Sequence, residues 1–269
     1  MGEKIILVTG AAHGLGKAIS KFLTSRGHRV IGTDIDAEAL IGLNKDNIQT
    51  VILDTTSLSS IQKAYEEISK MVEGIDVLVN NAGIFDQIPL VEGNMKRYEH
   101  LLNVNVMGAF RVTRVFFPLL LKKKGRIINI SSETAKTLLP FQTYGLTKYM
   151  MEAWSNTLRM ELKLLGMDVV LIRPGGHKTN LLHKTIEILN EVPQDSLFKD
   201  ALHVVKTTGV KKVMAVNKNP NDVARVVYKA IQDKRPRRIY RISESNIYRF
   251  LAVVPRSLKE KLVLYGLRK

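Results

Sequence analysis

Tyr144 and Lys148 stand four residues apart in Tyr144-Gly145-Leu146-Thr147-Lys148, and Ser132 precedes the tyrosine by twelve positions. On a helix, positions i and i+4 share a face. The spacing therefore sets an ammonium beside a phenol, with a serine hydroxyl from a nearby strand end to complete the group. Such a trio suits moving a proton on and off an alcohol oxygen. Free tyrosine is a poor base, with a pKa of about 10. Bringing it near 7 needs about 4 kcal/mol, and one ammonium at about 4 Å supplies a similar amount at an effective dielectric of about 20. The spacing alone does not decide. Tyr265-Gly266-Leu267-Arg268-Lys269 repeats it at the C-terminus, with no serine or glycine loop in order around it.

A second group of residues suits phosphate. The first apolar run ends in Thr9-Gly10-Ala11-Ala12-His13-Gly14-Leu15-Gly16, followed by a helical pattern. Gly10 permits a tight turn, while Gly14 and Gly16 let the backbone approach a pyrophosphate. The helix N-terminus offers free N–H groups and the positive end of its dipole. Asp34 ends the next apolar run. A carboxylate there accepts hydrogen bonds from adenosine ribose hydroxyls and repels a 2′-phosphate, which favours NAD over NADP. His13, a basic residue that could greet a 2′-phosphate, argues the other way. It is mostly neutral at pH 7, so Asp34 carries more weight.

Alternating elements position these groups. Strands are expected at Lys4–Thr9, His28–Asp34, Thr50–Leu53, Ile75–Val79, Arg126–Ile130 and Asp168–Ile172, with an edge strand at Arg237–Ile242. Helices are expected at Gly14–Arg26, from Ala37, at Leu58–Val72, Met95–Leu121 and Gln142–Leu165, and near Asp222–Gln232. Short Val- and Ile-rich strands between helical patterns predict an α/β fold, a single Rossmann-type doubly wound parallel sheet of about seven strands. No linker or repeat divides the chain. Residues 1–245 are read as one dinucleotide-binding and catalytic domain, 179–218 as a variable substrate segment or helical lid, and 246–269 as a C-terminal tail.

Composition bounds the rest. The 269 residues are 45% hydrophobic, enough for a sizeable core. The absence of cysteine excludes disulfides, thiol catalysis and cysteine-ligated metals, and fits a reducing, cytoplasmic compartment. The chain enters a β-like run almost at once, so no signal peptide is expected. No stretch of eighteen apolar residues occurs, so neither is a transmembrane helix. The net charge of +16 suits an acidic membrane surface, nucleic acid or an anionic cofactor, or equally a solvated basic surface, which is favoured. No long basic arm and no interleaving of aromatic and basic residues appear, so no nucleic-acid partner is expected. The apolar-basic tail suits peripheral contact with a membrane, or, as favoured, packing on the domain or a partner subunit.

Taken in order along the chain, these residues resemble the short-chain dehydrogenase/reductase family. The matches are the loop at Thr9–Gly16, Asp34, Asp54, Asn80-Asn81-Ala82-Gly83, Asn105, Ser131-Ser132, Tyr144 with Lys148, and Pro174-Gly175. The resemblance implies that Asp54 meets the adenine, with Thr55 contributing backbone. Asn81, Ala82 and Gly83 would pass beneath the adenine ribose and stabilise the sheet. Pro174, Gly175 and the segment to Thr179 would hold the nicotinamide end, which Tyr144 and Lys148 also border. Asn105, rather than its neighbour Asn103, would hold a water beside Lys148. Ser132, rather than Ser131, would bind the substrate oxygen beside Tyr144.

No metal is implied. Substrate contacts would fall at Ile84, Phe85, Glu133, Leu138, Leu139 and Phe141 and beyond Thr179. Most are apolar and point to a hydrophobic alcohol or ketone, such as a steroid, retinoid or acyl-chain compound, or, equally, to side chains that simply pack the lid. The helix from Tyr144 to Leu165 would form a dimer or tetramer face, or equally ordinary core. The implied activity is NAD(P)-dependent oxidation of a secondary alcohol or reduction of a ketone. The alternative is a non-catalytic NAD(H)-binding sensor or scaffold of the same fold.

Overall fold

Seven strands built mainly from Val, Ile and Leu lie side by side in one sheet, every neighbouring pair parallel. They are β1 (Ile5–Thr9), β2 (Arg29–Asp34), β3 (Gln49–Ile52), β4 (Val77–Asn80), β5 (Arg126–Ile130), β6 (Val169–Arg173) and β7 (Ile239–Arg241). This computed structural model describes residues 2–44, 46–87, 89–137, 139–178, 185–188, 190, 195–216, 218–242 and 254–267. Every residue of β4 and β6 is buried, because helices cover both faces and leave no polar side to the strand.

The helices are α1 (Gly14–Ser25), α2 (Ala37–Asn44), α3 (Leu58–Met71), α4 (Met95–Leu102), α5 (Ala109–Lys122), α6 (Thr134–Thr137), α7 (Thr143–Lys163), α8 (Lys199–Met214), α9 (Pro220–Gln232) and α10 (Arg256–Leu267). One face of the sheet is packed by α1 and α9, through Ile19, Leu23, Val223, Val227 and Ile231. The other is packed by α3, α5 and α7, through Ile61, Ile68, Phe116 and Leu162. Helix α9 shows how local sequence sets this. Asn219 caps its N-terminus by accepting from Asn221 N–H, Pro220 takes the first turn, and its apolar residues recur on one stripe.

The strand order is β3-β2-β1-β4-β5-β6-β7. Chain direction across the sheet reverses between β1 and β4, and a crevice opens there at the strands' carboxyl ends. All seven expected strands are present, with boundaries shifted by one or two residues.

Three elements differ from expectation. The long helix from Met95 is continuous to Lys122 but contains a π-helical turn, Asn103–Gly108. Despite the expectation of no membrane-length helix, this one is long and apolar enough to cross a membrane by length and composition. Its apolar face is filled by the sheet, with Val112, Phe116, Leu119 and Leu120 buried. The variable segment, read as short helical pieces, contains the four-turn helix α8. The tail, read as broken by Pro255, forms α10 directly after that proline and meets α8.

Candidate active site

The crevice between β1 and β4 is lined by the glycine loop. Gly10 and Gly14 have φ of +66° and +49°, a region that costs other residues energy. A Cβ on Gly16 would lie 1.9 Å from the Gly10 carbonyl oxygen, so only glycine lets α1 pack this close to β1. His13 occupies the N-cap of α1 without a side-chain cap bond, and no acidic residue stands in the first turn. The leading N–H groups of α1 are left to an anion. The wall opposite is fixed by Thr9, whose Oγ accepts from the N–H groups of Asn81 and Ala82, both at 3.1 Å. Asn81 Nδ2 returns bonds to the carbonyls of Thr9 and Gly10. These residues fit a dinucleotide pyrophosphate.

At the adenosine end, Asp34 accepts from Ala12 N–H at 3.0 Å and from Asp36 N–H at 3.2 Å. Asp36 pairs with His13 at 2.8 Å. The Ala39 amide first, then His13, holds the Asp36 carboxyl below the usual carboxylate range. His13, the residue that spoke for a 2′-phosphate, is thus engaged by a second carboxylate beside Asp34. Asp54 accepts from the amide and hydroxyl of Thr56 through Oδ1. Thr55 is buried, and its side chain lies where a Cβ on Gly108 would fall.

Tyr144, Lys148 and Ser132 converge at the ends of β5 and α7. Lys148 is buried and donates to the Ile130 carbonyl at 3.0 Å, its Nζ 5.6 Å from the centre of the Tyr144 ring. Burial pushes the Lys148 ammonium down to about 8. Burial pushes the Tyr144 phenol up to about 12, against a smaller opposing pull from its hydrogen bond with Ser132. The expected lowering of Tyr144 by Lys148 is therefore absent in the protein alone, because desolvation disfavours the charged form of both groups. Thr134 donates its hydroxyl to Ser132 Oγ at 2.9 Å and its N–H at 3.3 Å. With those bonds accepted, the Ser132 proton is directed to the Tyr144 oxygen.

Asn105 is fully buried in the π-helical turn. Its amide accepts from Ile84 N–H at 2.8 Å and donates to the Ile84 carbonyl and to Thr147 Oγ. That amide holds the Ile84 segment against α7. Asn103 instead accepts from Arg111. The segment after Ile84 carries Phe85, whose ring lies 5.2 Å from that of Tyr144, and Asp86, whose carbonyl accepts from Tyr144 N–H. Arg97 grips the Asp86 carboxylate.

Ser131 points away from the site and donates to Glu152 at 2.6 Å. Pro174 accepts through its carbonyl from Glu133 N–H, and His177 bonds the Gly175 carbonyl. Leu138 and Thr179 lie outside the described residues. Phe141 adopts a left-handed backbone, φ +61°, and its ring meets that of Phe198 at 5.3 Å, tilted by 58°. Beside it lies an apolar cavity of about 420 Å³, walled by Leu90, Leu139, Phe141, Leu146, Val263 and Leu264. Neither Ser132 nor Tyr144 lines it. It separates the start of α7 from α10. Among the described residues, no group of three His, Asp or Glu could hold a metal.

Sequence reasoning missed Thr134, Thr147, Asp86, Glu152 and Arg173. Glu152 alone left a signal, as the next residue at four-residue spacing on the face of Tyr144 and Lys148.

Comparison with known proteins agrees with this geometry. The sequence profile described as short chain dehydrogenase matches residues 4–189. Retinol dehydrogenase 7 of Rattus norvegicus is 37% identical over 187 residues, 66% of this chain and 58% of that protein. The 17-beta-hydroxysteroid dehydrogenase type 6 of Bos taurus is 35% identical over 217 residues, 78% of this chain and 67% of that protein. The matched part of the chain thus takes in less than two thirds of the rat protein's length. In fold, a short chain dehydrogenase/reductase from Burkholderia phymatum in complex with NAD superposes with a TM-score of 0.79 at 21% identity, covering 97% of this chain and 95% of that one. With the seven-stranded sheet, the glycine crevice and the profile match over most of its length, the chain belongs to the short-chain dehydrogenase family of oxidoreductases.

Proposed function

We propose that the protein transfers hydride between NAD(H) and the carbinol or carbonyl carbon of a hydrophobic secondary alcohol or ketone. The observation that carries this is the convergence of Ser132, Tyr144 and buried Lys148 beside a glycine-lined crevice suited to a dinucleotide. When bound, the dinucleotide supplies the hydride acceptor or donor. The loop Gly10–Gly16 and the α1 N-terminus hold its pyrophosphate. Asp34 holds the adenosine ribose, with Asp54, Thr55 and Asn81 to Gly83 around the adenosine half. Pro174 and Gly175 face the nicotinamide end.

In the oxidation direction, Ser132 hydrogen-bonds the substrate oxygen and Tyr144 removes its proton. Lys148 stabilises the phenolate. With Lys148 already in place burial still holds the phenol at about 12, so a second positive charge in the site is needed for a working base near neutral pH. NAD is favoured over NADP because the Asp34 carboxylate at the end of β2 would repel a 2′-phosphate and Asp36 engages His13. Phe85 and Phe141 support an apolar substrate, as do relatives named for retinol and for a hydroxysteroid.

Two associations complete the proposal. The exposed Met107, Phe110, Met150 and Met160 on the helices of one face support a homodimer or homotetramer. The location proposed is the cytoplasm, with peripheral membrane contact through the exposed Leu258 and Leu262 of α10 and the adjacent Lys259 and Lys261.

The test is a hydride-transfer screen of secondary alcohols, including all-trans-retinol and 17β-hydroxysteroids, with NAD and NADP. NAD-linked turnover is expected, and Tyr144→Phe should lower kcat by a factor on the order of 10² to 10⁴. Turnover unchanged by Tyr144→Phe sinks the catalytic assignment, and tighter binding of NADPH than NADH sinks the use made of Asp34.

A further inference from the structure

Three residues with no part in the chemistry above meet behind the site. Glu152, on α7, accepts through Oε1 from Ser131 Oγ at 2.6 Å and from Arg173 Nε at 2.5 Å, and through Oε2 from Arg173 Nη2. All three residues are buried, with 1%, 6% and 5% of their surface exposed for Ser131, Glu152 and Arg173. Each belongs to a different element and stands directly beside a site residue. Ser131 precedes Ser132 at the end of β5. Arg173 ends β6 and precedes Pro174 and Gly175. Glu152 lies one turn beyond Lys148. Backbone bonds already join the two strand ends, from Ser131 N–H to the Ile172 carbonyl and from Glu133 N–H to the Pro174 carbonyl. The side chains add α7 to that junction.

A buried ion pair contributes little net stability, since desolvation offsets its attraction and an apolar pair of like volume often serves as well. What a forked guanidinium on a carboxylate does supply is direction. We propose that Ser131, Glu152 and Arg173 form a brace that positions the nicotinamide half of the bound dinucleotide. Arg173 fixes the start of the Pro174-Gly175 segment, and Glu152 refers it to α7 and thus to Lys148. Arg173 and Glu152 are positioning residues that act through Pro174 and Ser132 without touching the reacting atoms. The inference rests on the dinucleotide reading of the crevice.

Two probes separate the halves of the dinucleotide. NADH spans the whole site, and ADP-ribose lacks the nicotinamide. Both are titrated against wild type, Arg173→Lys, Arg173→Met and the double variant Arg173→Met/Glu152→Leu, with the thermal midpoint recorded for each. If wild type binds NADPH more tightly, NADPH and 2′-phospho-ADP-ribose replace the pair. Arg173→Met is expected to weaken NADH roughly tenfold, about 1.4 kcal/mol, while ADP-ribose binding stays within about twofold. Arg173→Lys, which keeps charge but loses the fork, should fall between. The double variant removes both charges and should keep a near-wild-type thermal midpoint, yet bind NADH as weakly as Arg173→Met. If Arg173→Met does not fold, the double variant carries the test.

Equal loss of both probes, loss of neither, or wild-type NADH affinity in the double variant overturns the brace and leaves the dinucleotide reading standing. Failure of wild type to bind either dinucleotide overturns that reading, and the brace with it.

Discussion

Tyr144 and Lys148 are displaced in opposite directions by the same burial, to about 12 and about 8. For Lys148, the folded value lies below the ordinary 10.5. Between those two values the unfolded chain holds more protons than the folded one, so stability rises with pH across that window. Below about 8 both states are charged, and the cost of burying the ammonium is present in full. Lys148→Met should therefore melt above wild type at pH 7, by a few degrees at about 2–4 °C per kcal/mol for a chain of this size. The difference should close as pH rises from 8 to 10.5. Thermal midpoints of the two proteins at pH 7 and pH 10 check this, and a wild type that melts higher at pH 7 refutes it.

The pairing itself was legible in the sequence because four-residue spacing on a helix is a geometric statement. The direction of the Tyr144 shift was not, because desolvation depends on what lies around the group. The four-residue spacing reaches Glu152, but its partner Arg173 was hidden for a related reason. The two lie twenty-one residues apart, and no local pattern links a carboxylate on a helix to a guanidinium at a strand end.

At the scale of elements, the strand-loop-helix unit from β1 to α1 was read from the sequence almost to the residue, since glycine spacing is itself backbone geometry. Its tolerance is small. Gly16→Ala places a Cβ 1.9 Å from the Gly10 carbonyl, a backbone atom that cannot rotate away. The expected result is loss of NADH binding by titration, together with a thermal midpoint lowered by several degrees. Unaltered binding would show that α1 can move off β1. The π-helical turn at Asn103–Gly108 was not legible. Nothing in Asn103-Val104-Asn105-Val106-Met107-Gly108 distinguishes it from α-helix, and it accompanies tertiary bonds from Asn105 to Ile84 and Thr147. The left-handed backbone at Phe141 is of the same kind. A bulky residue takes up that strain where surrounding contacts hold it, here the ring of Phe198 just before α8. The poorly patterned segment after Pro174 gave no sign of this contact.

At the scale of the molecule, the chain carries a net charge of +16, and α10 sets exposed Leu258 and Leu262 beside Lys259 and Lys261. If α10 rests on a lipid surface, the protein should co-float with vesicles containing anionic phosphatidylserine at low salt. It should be released as ionic strength shortens the screening length to about 8 Å and below. Leu258→Glu/Leu262→Glu should abolish flotation without changing NADH affinity. Flotation by the double variant equal to wild type removes α10 from that role.

The sheet order has a consequence for how the chain comes into being. β1 can pair with β2, and β2 with β3, once the first 52 residues exist. The other edge of β1 waits for β4 at Val77–Asn80, and the outer edge of β4 for Arg126–Ile130. During synthesis from the N-terminus, the glycine loop therefore borders an open strand edge until the chain crosses over, and the second half of the sheet then grows outward from that seam. Nascent chains that end between β3 and β4 carry an unpaired apolar edge, where association with other chains competes with folding.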